Sequence, residues 1–140
     1  MKPYTVILSL ILVYLVCSSG TSKATDEKPI HQLRIYTVPK ENRQPFHDRF
    51  KDHAMRIMKK YGFRIAATWE SATNDTLEFV YLLQWPDKKT MEEAWSKFMA
   101  DEEWKEIKRV TSKEHGSFVE GIQDRTLILT DYSPQKDLLR

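Results

Sequence analysis

The chain has 140 residues, with 22 basic and 20 acidic side chains, a formal net charge of +2, and a single cysteine. That length suits one domain and leaves no room for two of ordinary size. The near-neutral balance argues against a nucleic-acid binder, which shows a clustered basic excess; Lys59-Lys60 and Lys88-Lys89 read as helix-end charges on a solvated face.

In chain order, Met1–Lys2 supplies a positive charge, Val6–Val16 is an apolar run, and Ser18, Ser19 and Gly20 are small. This is the layout of a secretory signal over residues 1–24. The run is too short to span a bilayer, which takes a helix of about 20 residues. Two processing routes are open. Ser22–Ala24 or Ser18–Gly20 suits an ordinary signal peptidase, whereas Cys17 directly after the apolar run suits lipidation, although Val16 is large for a lipobox. The expected location is secreted or periplasmic, with a membrane anchor only if Cys17 is lipidated. Removal of residues 1–24 discards Lys2, Lys23 and Cys17 and no acid, leaving 20 basic against 20 acidic residues and no thiol. The domain must then hold together without a disulfide.

Residues 25–29 read as a spacer. In Ile30–Val38, Leu33 and Ile35 alternate with Gln32, Arg34 and Tyr36, the period of a strand. Asn42 is placed to cap a helix over Arg43–Tyr61, with Pro45 in its first turn. Phe46, Phe50, Ala54, Ile57 and Tyr61 form one apolar stripe, and Gly62 ends the helix. Phe63–Ser71 alternates regularly as a second strand, and Asn74-Asp75 supplies a turn. Leu77–Trp85 is apolar on both faces apart from Glu78 and Gln84, which marks a central strand. The chain has too few helices to cover both faces of the sheet, and a second copy of the same sheet is the economical cover. Met91, Ala94, Trp95, Phe98 and Met99 give the next amphipathic helix; Asp101 interrupts it and caps a continuation carrying Trp104, Ile107 and Val110. Gly116 closes that segment. Phe118–Asp131 reads as one bent strand or two short ones, with Gly121 as the expected bulge, and residues 135–140 as a flexible tail.

Five segments in this order resemble a known family: Leu33–Val38 (LRIYTV), Phe46–Phe63 (FHDRFKDHAMRIMKKYGF), Val80–Trp85 (VYLLQW), Ala100–Trp104 (ADEEW) and Tyr132–Pro134 (YSP). They are similar to a NIPSNAP domain over residues 30–134. The resemblance implies an α+β, ferredoxin-like βαββαβ unit with an antiparallel four-stranded sheet, two of which pack as a dimeric α/β barrel. It implies no particular reaction. The wider barrel group includes cofactor-independent monooxygenases and haem proteins. The haem-degrading branch carries an Asn on the first strand, and this chain has asparagines only at 42 and 74.

His53 stands three residues after Phe50 and four before Ile57, at the edge of the apolar stripe, and is read as a ligand contact or a boundary histidine. Trp69 and Tyr81 are the expected walls of a ligand site. Arg34 and Tyr36 share the strand face opposite Leu33 and Ile35; if the latter meet the helices, the former point into the dimer barrel, where Arg34 needs a partner such as Glu70 or Glu78. His47 and His53 lie about 120° apart around an α-helix and do not readily share an ion, and no metal or other cofactor is expected. The expected function is that of an exported homodimer binding a small apolar or planar ligand or a protein partner. The alternatives are a cofactor-independent monooxygenase or isomerase with His53 as base, and a haem protein using His53 or His115.

Overall fold

The computed structural model describes residues 28–73 and 76–139; the expected leader and the Asn74-Asp75 turn lie outside the described residues. Four strands, β1 (Ile30–Val38), β2 (Arg64–Ala72), β3 (Leu77–Trp85) and β4 (Gly121–Ile128), form one antiparallel sheet in the order β2-β3-β1-β4. Helical segments fill the β1–β2 and β3–β4 connections, which makes the unit βαββαβ. Among the described residues no helix is long and apolar enough to cross a membrane.

The first helical stretch is not uniform. After a 3₁₀ turn at Lys40–Asn42, α1 (Arg43–Arg49) passes through a π-helical turn at Phe50–Ala54 into α2 (Met55–Lys60). The π turn inserts an extra residue into the helical repeat, so Ile57 and Met58 are both buried. The C-terminus follows the sequence expectation. Gly62 takes φ +83°, and the N–H groups of Gly62 and Phe63 donate to the carbonyls of Lys59 and Met58, satisfying the end of the helix. Asn42 does not cap α1. Its amide donates instead to the carbonyls of His115 and Ser117, tying the start of the first helix to the loop before β4.

The α3 helix (Lys88–Ala100) is capped by Asp87, which accepts from the backbone N–H of Thr90. Asp101 ends α3 and caps α4 (Glu102–His115) by accepting from Trp104 N–H. Its other carboxylate oxygen accepts from Tyr61 Oη at 2.7 Å and Lys60 Nζ at 3.0 Å, so one buried aspartate joins α4 to the end of α2. The Tyr61 hydroxyl, Trp104 N–H and Lys60 ammonium hold its pKa well below the usual carboxylate range.

All helices among the described residues lie on one face of the sheet. The core side of β3 is Leu77, Phe79, Tyr81, Leu83 and Trp85, packed against Phe46, Phe50, Ala54, Ile57, Phe98 and Trp104. Cross-strand pairing places Gln32, Arg34 and Tyr36 opposite Leu83, Tyr81 and Phe79, on this same face. That corrects the expected orientation of β1. Arg34 and Tyr36 face the helices, while Leu33 and Ile35 pair with Leu82 and Val80 on the uncovered face. A second correction lies in β2, where the register slips between Ile65 and Ala67: Ile65 pairs with Leu83 and Ala67 with Leu82. This bulge at Ala66 reverses the alternation that follows, so Trp69 joins Leu33, Val80 and Leu82 on the uncovered face and is 51% exposed. Gly121, the expected bulge, instead opens β4 opposite Thr37 in regular register.

Candidate functional site

A cleft opens between the helix-facing side of β1 and the helices, with a volume of about 190 Å³. Tyr36, Phe46, Phe50, Ala54, Met58, Trp95, Phe98 and Trp104 make its walls, and Arg34, Arg49 and Lys108 bring three cations to it. Met99 on α3 and Ile122 on the edge strand β4 also line it and are 50% and 55% exposed, which puts them at the mouth. The surface is almost wholly hydrocarbon and aromatic, the usual material of a small-molecule site.

The floor is a hydrogen-bonded chain built on β1. Gln32 is buried and its Oε1 accepts from the indole N–H groups of Trp85 (3.1 Å) and Trp95 (2.8 Å). Its Nε2 donates to both carboxylate oxygens of Asp124, at 3.0 and 2.9 Å. Asp124, directly across from Arg34 on β4, also forms an ion pair with the Arg34 guanidinium. Arg34 Nη2 donates to Tyr36 Oη at 3.1 Å, and Tyr36 Oη lies 2.7 Å from Tyr81 Oη. Burial disfavours the charge of Arg34, but the surrounding Tyr36, Tyr81 and Asp124 outweigh it and raise its pKa. The Tyr81 hydroxyl, fully buried, is pushed well above the usual phenol value by burial and by its Tyr36 neighbour. The guanidinium of Arg34 also lies 4.5 Å from the Trp95 ring centroid. Its partner is therefore Asp124 rather than the expected Glu70 or Glu78. Glu70 is taken by Arg43 and His47, which hold its pKa down to about 2.

The other expected site residues are dispersed. Tyr81 is beneath the cleft as a member of the polar chain. His53 is exposed on the π turn and lines a neighbouring shallow depression with Asp48, Thr111, His115 and Phe118, which shares Arg49 with the cleft. Trp69 is on the opposite face of the sheet. The geometry thus joins Tyr36 and Arg34 to Tyr81 and keeps His53 and Trp69 away from all three. Sequence reasoning placed Trp95 on an apolar stripe but missed Arg49 and Lys108. Arg49 stands three residues after Phe46 and Lys108 four after Trp104, which was readable, but the cleft itself forms from helices and strands far apart in the chain. Among the described residues there is no group of three His, Cys, Asp or Glu side chains placed to hold a metal ion.

Comparison with known proteins matches the family model described as NIPSNAP to residues 31–134. None of the curated proteins compared with the chain matches it. Among solved structures, it is similar to an uncharacterised NIPSNAP-like domain protein from Burkholderia xenovorans, with a TM-score of 0.66 and 19% identity, covering 80% of this chain and 94% of that one. A NIPSNAP family protein from Agrobacterium tumefaciens gives a TM-score of 0.65 and 17% identity, covering 76% and 97%. SnoaB, a cofactor-independent oxygenase from Streptomyces nogalater, gives a TM-score of 0.50 and 13% identity, covering 78% and 100%. At these identities the likenesses concern the fold.

Proposed function

From the premise that the chain belongs to the NIPSNAP family, we propose that it is an exported, homodimeric binding protein whose cleft takes a small apolar ligand. The observation that carries this reading is an apolar cleft walled by Phe50, Trp95, Phe98 and Trp104 with exposed Met99 and Ile122 at its mouth. Large apolar side chains left in water at the entrance of an apolar cavity favour an apolar occupant. The volume of about 190 Å³ suits a small aromatic or short aliphatic body, since a cavity of roughly 150 Å³ holds benzene.

Binding without turnover is better supported than oxygenase or isomerase chemistry. Such chemistry needs a group that removes a substrate proton; the described residues lining the cleft include no histidine and no carboxylate, which leaves Tyr36 and Lys108 as the groups that would have to serve. The Apolar row Leu33, Ile35, Val80 and Leu82, with Trp69 beside it, supports dimerisation through the uncovered face of the sheet.

Saturation-transfer NMR of the full chain with naphthalene, a neutral probe, tests the cleft. Transfer to naphthalene that drops in Ile122→Trp, which obstructs the mouth at an exposed position, is the expected result. No transfer with the native chain, or transfer indifferent to Ile122→Trp, would sink the assignment.

A further inference from the structure

We propose that the ligand of this cleft is a small carboxylic acid with an apolar body, its carboxylate held by Arg49 and Lys108. The inference rests on the reading of the cleft as a ligand site and adds the charge of the occupant.

Three observations on different elements converge on it. Arg49 closes α1 with its guanidinium 4.1 Å from the Phe118 ring centroid and 5.6 Å from that of Trp104. Its one hydrogen bond among the described residues runs from Nη1 to Thr111 Oγ1 at 3.0 Å, and no described carboxylate lies within ion-pair distance. Lys108, on α4, places its Nζ 5.8 Å from the centroid of the same Trp104 ring, again with no described carboxylate partner. Arg34 leaves its buried Nε–H without an acceptor, although its terminal nitrogens are bonded to Asp124 and Tyr36. All three side chains line the one cleft.

A cation withdrawn from water normally takes an anion or loses its charge. Burial draws the Arg49 pKa down to about 10, and burial together with the nearby Arg49 and Lys105 charges lowers that of Lys108. Both shifts describe unrelieved positive charge at the wall of a hydrocarbon cleft. A carboxylate entering there gains charge-assisted hydrogen bonds from the planar Arg49 fork, while its apolar body covers the aromatic walls. A neutral molecule of the same shape gains only the second contribution.

Calorimetric titration of the full chain with hexanoate, octanoate and hydrocinnamate, each beside its matching alcohol, separates the two levels of the claim. The acids are expected to bind about tenfold more tightly than the alcohols, with a preference that weakens as salt is added. Lys108→Met and Arg49→Met should each reduce that preference. Because Arg49 is packed between rings, its variant risks misfolding, and half-exposed Lys108 carries the test in that event. Equal affinity of acids and alcohols would overturn the anion inference and leave the apolar cleft standing. Acid binding unchanged in Lys108→Met and in a folded Arg49→Met would also overturn it. Failure of acids, alcohols and naphthalene alike would bring down the cleft reading itself.

Discussion

Gln32 shows how one polar side chain organises a largely apolar site. Its amide takes two indole N–H groups on one side and gives two hydrogen bonds to Asp124 on the other, so Trp85, Trp95, Asp124 and, through Asp124, Arg34 are all oriented by it. Replacing it with an apolar residue of similar size leaves buried donors without acceptors, and each such orphan costs about 1–3 kcal/mol. Gln32→Leu is therefore expected to lose about 2 kcal/mol or more of stability in urea denaturation. A loss within experimental error would show that the indoles find other acceptors. His31, the adjacent residue, points to the other face and is buried, and among the described residues neither its ring nitrogens nor the Oε1 of neighbouring Gln84 has a hydrogen-bond partner. Burial lowers the His31 pKa, with Asp137 of the C-terminal segment acting in the opposite direction. Gln32 and His31 were both legible as members of a strand. Both are buried, Gln32 beneath the helices and His31 on the opposite face.

Among the elements, β2 departs most from its sequence pattern. Phe63 to Glu70 alternate without a break, yet the bulge at Ala66 puts Ile65 against the helices and Trp69 on the other side. Glu70 is thereby aimed at Arg43 and His47 on α1, where an unbulged strand would have directed Trp69. Removing the bulged residue should restore a regular ladder without moving anything beyond it. Deletion of Ala66 is accordingly expected to leave a folded protein with a cooperative thermal transition. Loss of the cooperative transition in this deletion, read by circular dichroism, would refute this account. The π turn at Phe50–Ala54 is the helical counterpart, bringing Met58 into the core beside Ile57. Neither irregularity leaves a mark in a hydrophobic pattern, because each is selected by packing against a neighbouring element.

At the scale of the whole molecule, the described helices cover one face of the sheet, and Leu33, Ile35, Val80 and Leu82 form an apolar row on the other. A second copy laid on this row would complete a barrel and bury Trp69. Light scattering of the full chain is expected to give twice the chain mass, and Leu82→Asp to give a monomer that keeps its helical signal, since a buried unpaired carboxylate opposes association. Ile65→Asp differs in kind. Ile65 packs against the core, so its substitution should cost stability rather than assembly alone. A native chain that is monomeric at micromolar concentration would remove the dimer from the proposed function while leaving the cleft untouched.

The order of elements, their approximate limits, the Gly62 and Asp101 helix ends and the central position of β3 were all determined by the sequence itself, because they depend on local periodicity, capping and composition. Tertiary structure decided which face of β1 meets the helices, where the β2 alternation reverses, and that Asn42 staples a distant loop instead of capping α1. It also decided the site. A strand pattern specifies two faces and leaves open which one is covered, and the contest between Leu33/Ile35 and Arg34/Tyr36 was settled by Asp124, Gln32 and the tyrosine pair on the covered side. Asp124 and Tyr81 lie on β4 and β3, so their contribution exists only once the chain has folded.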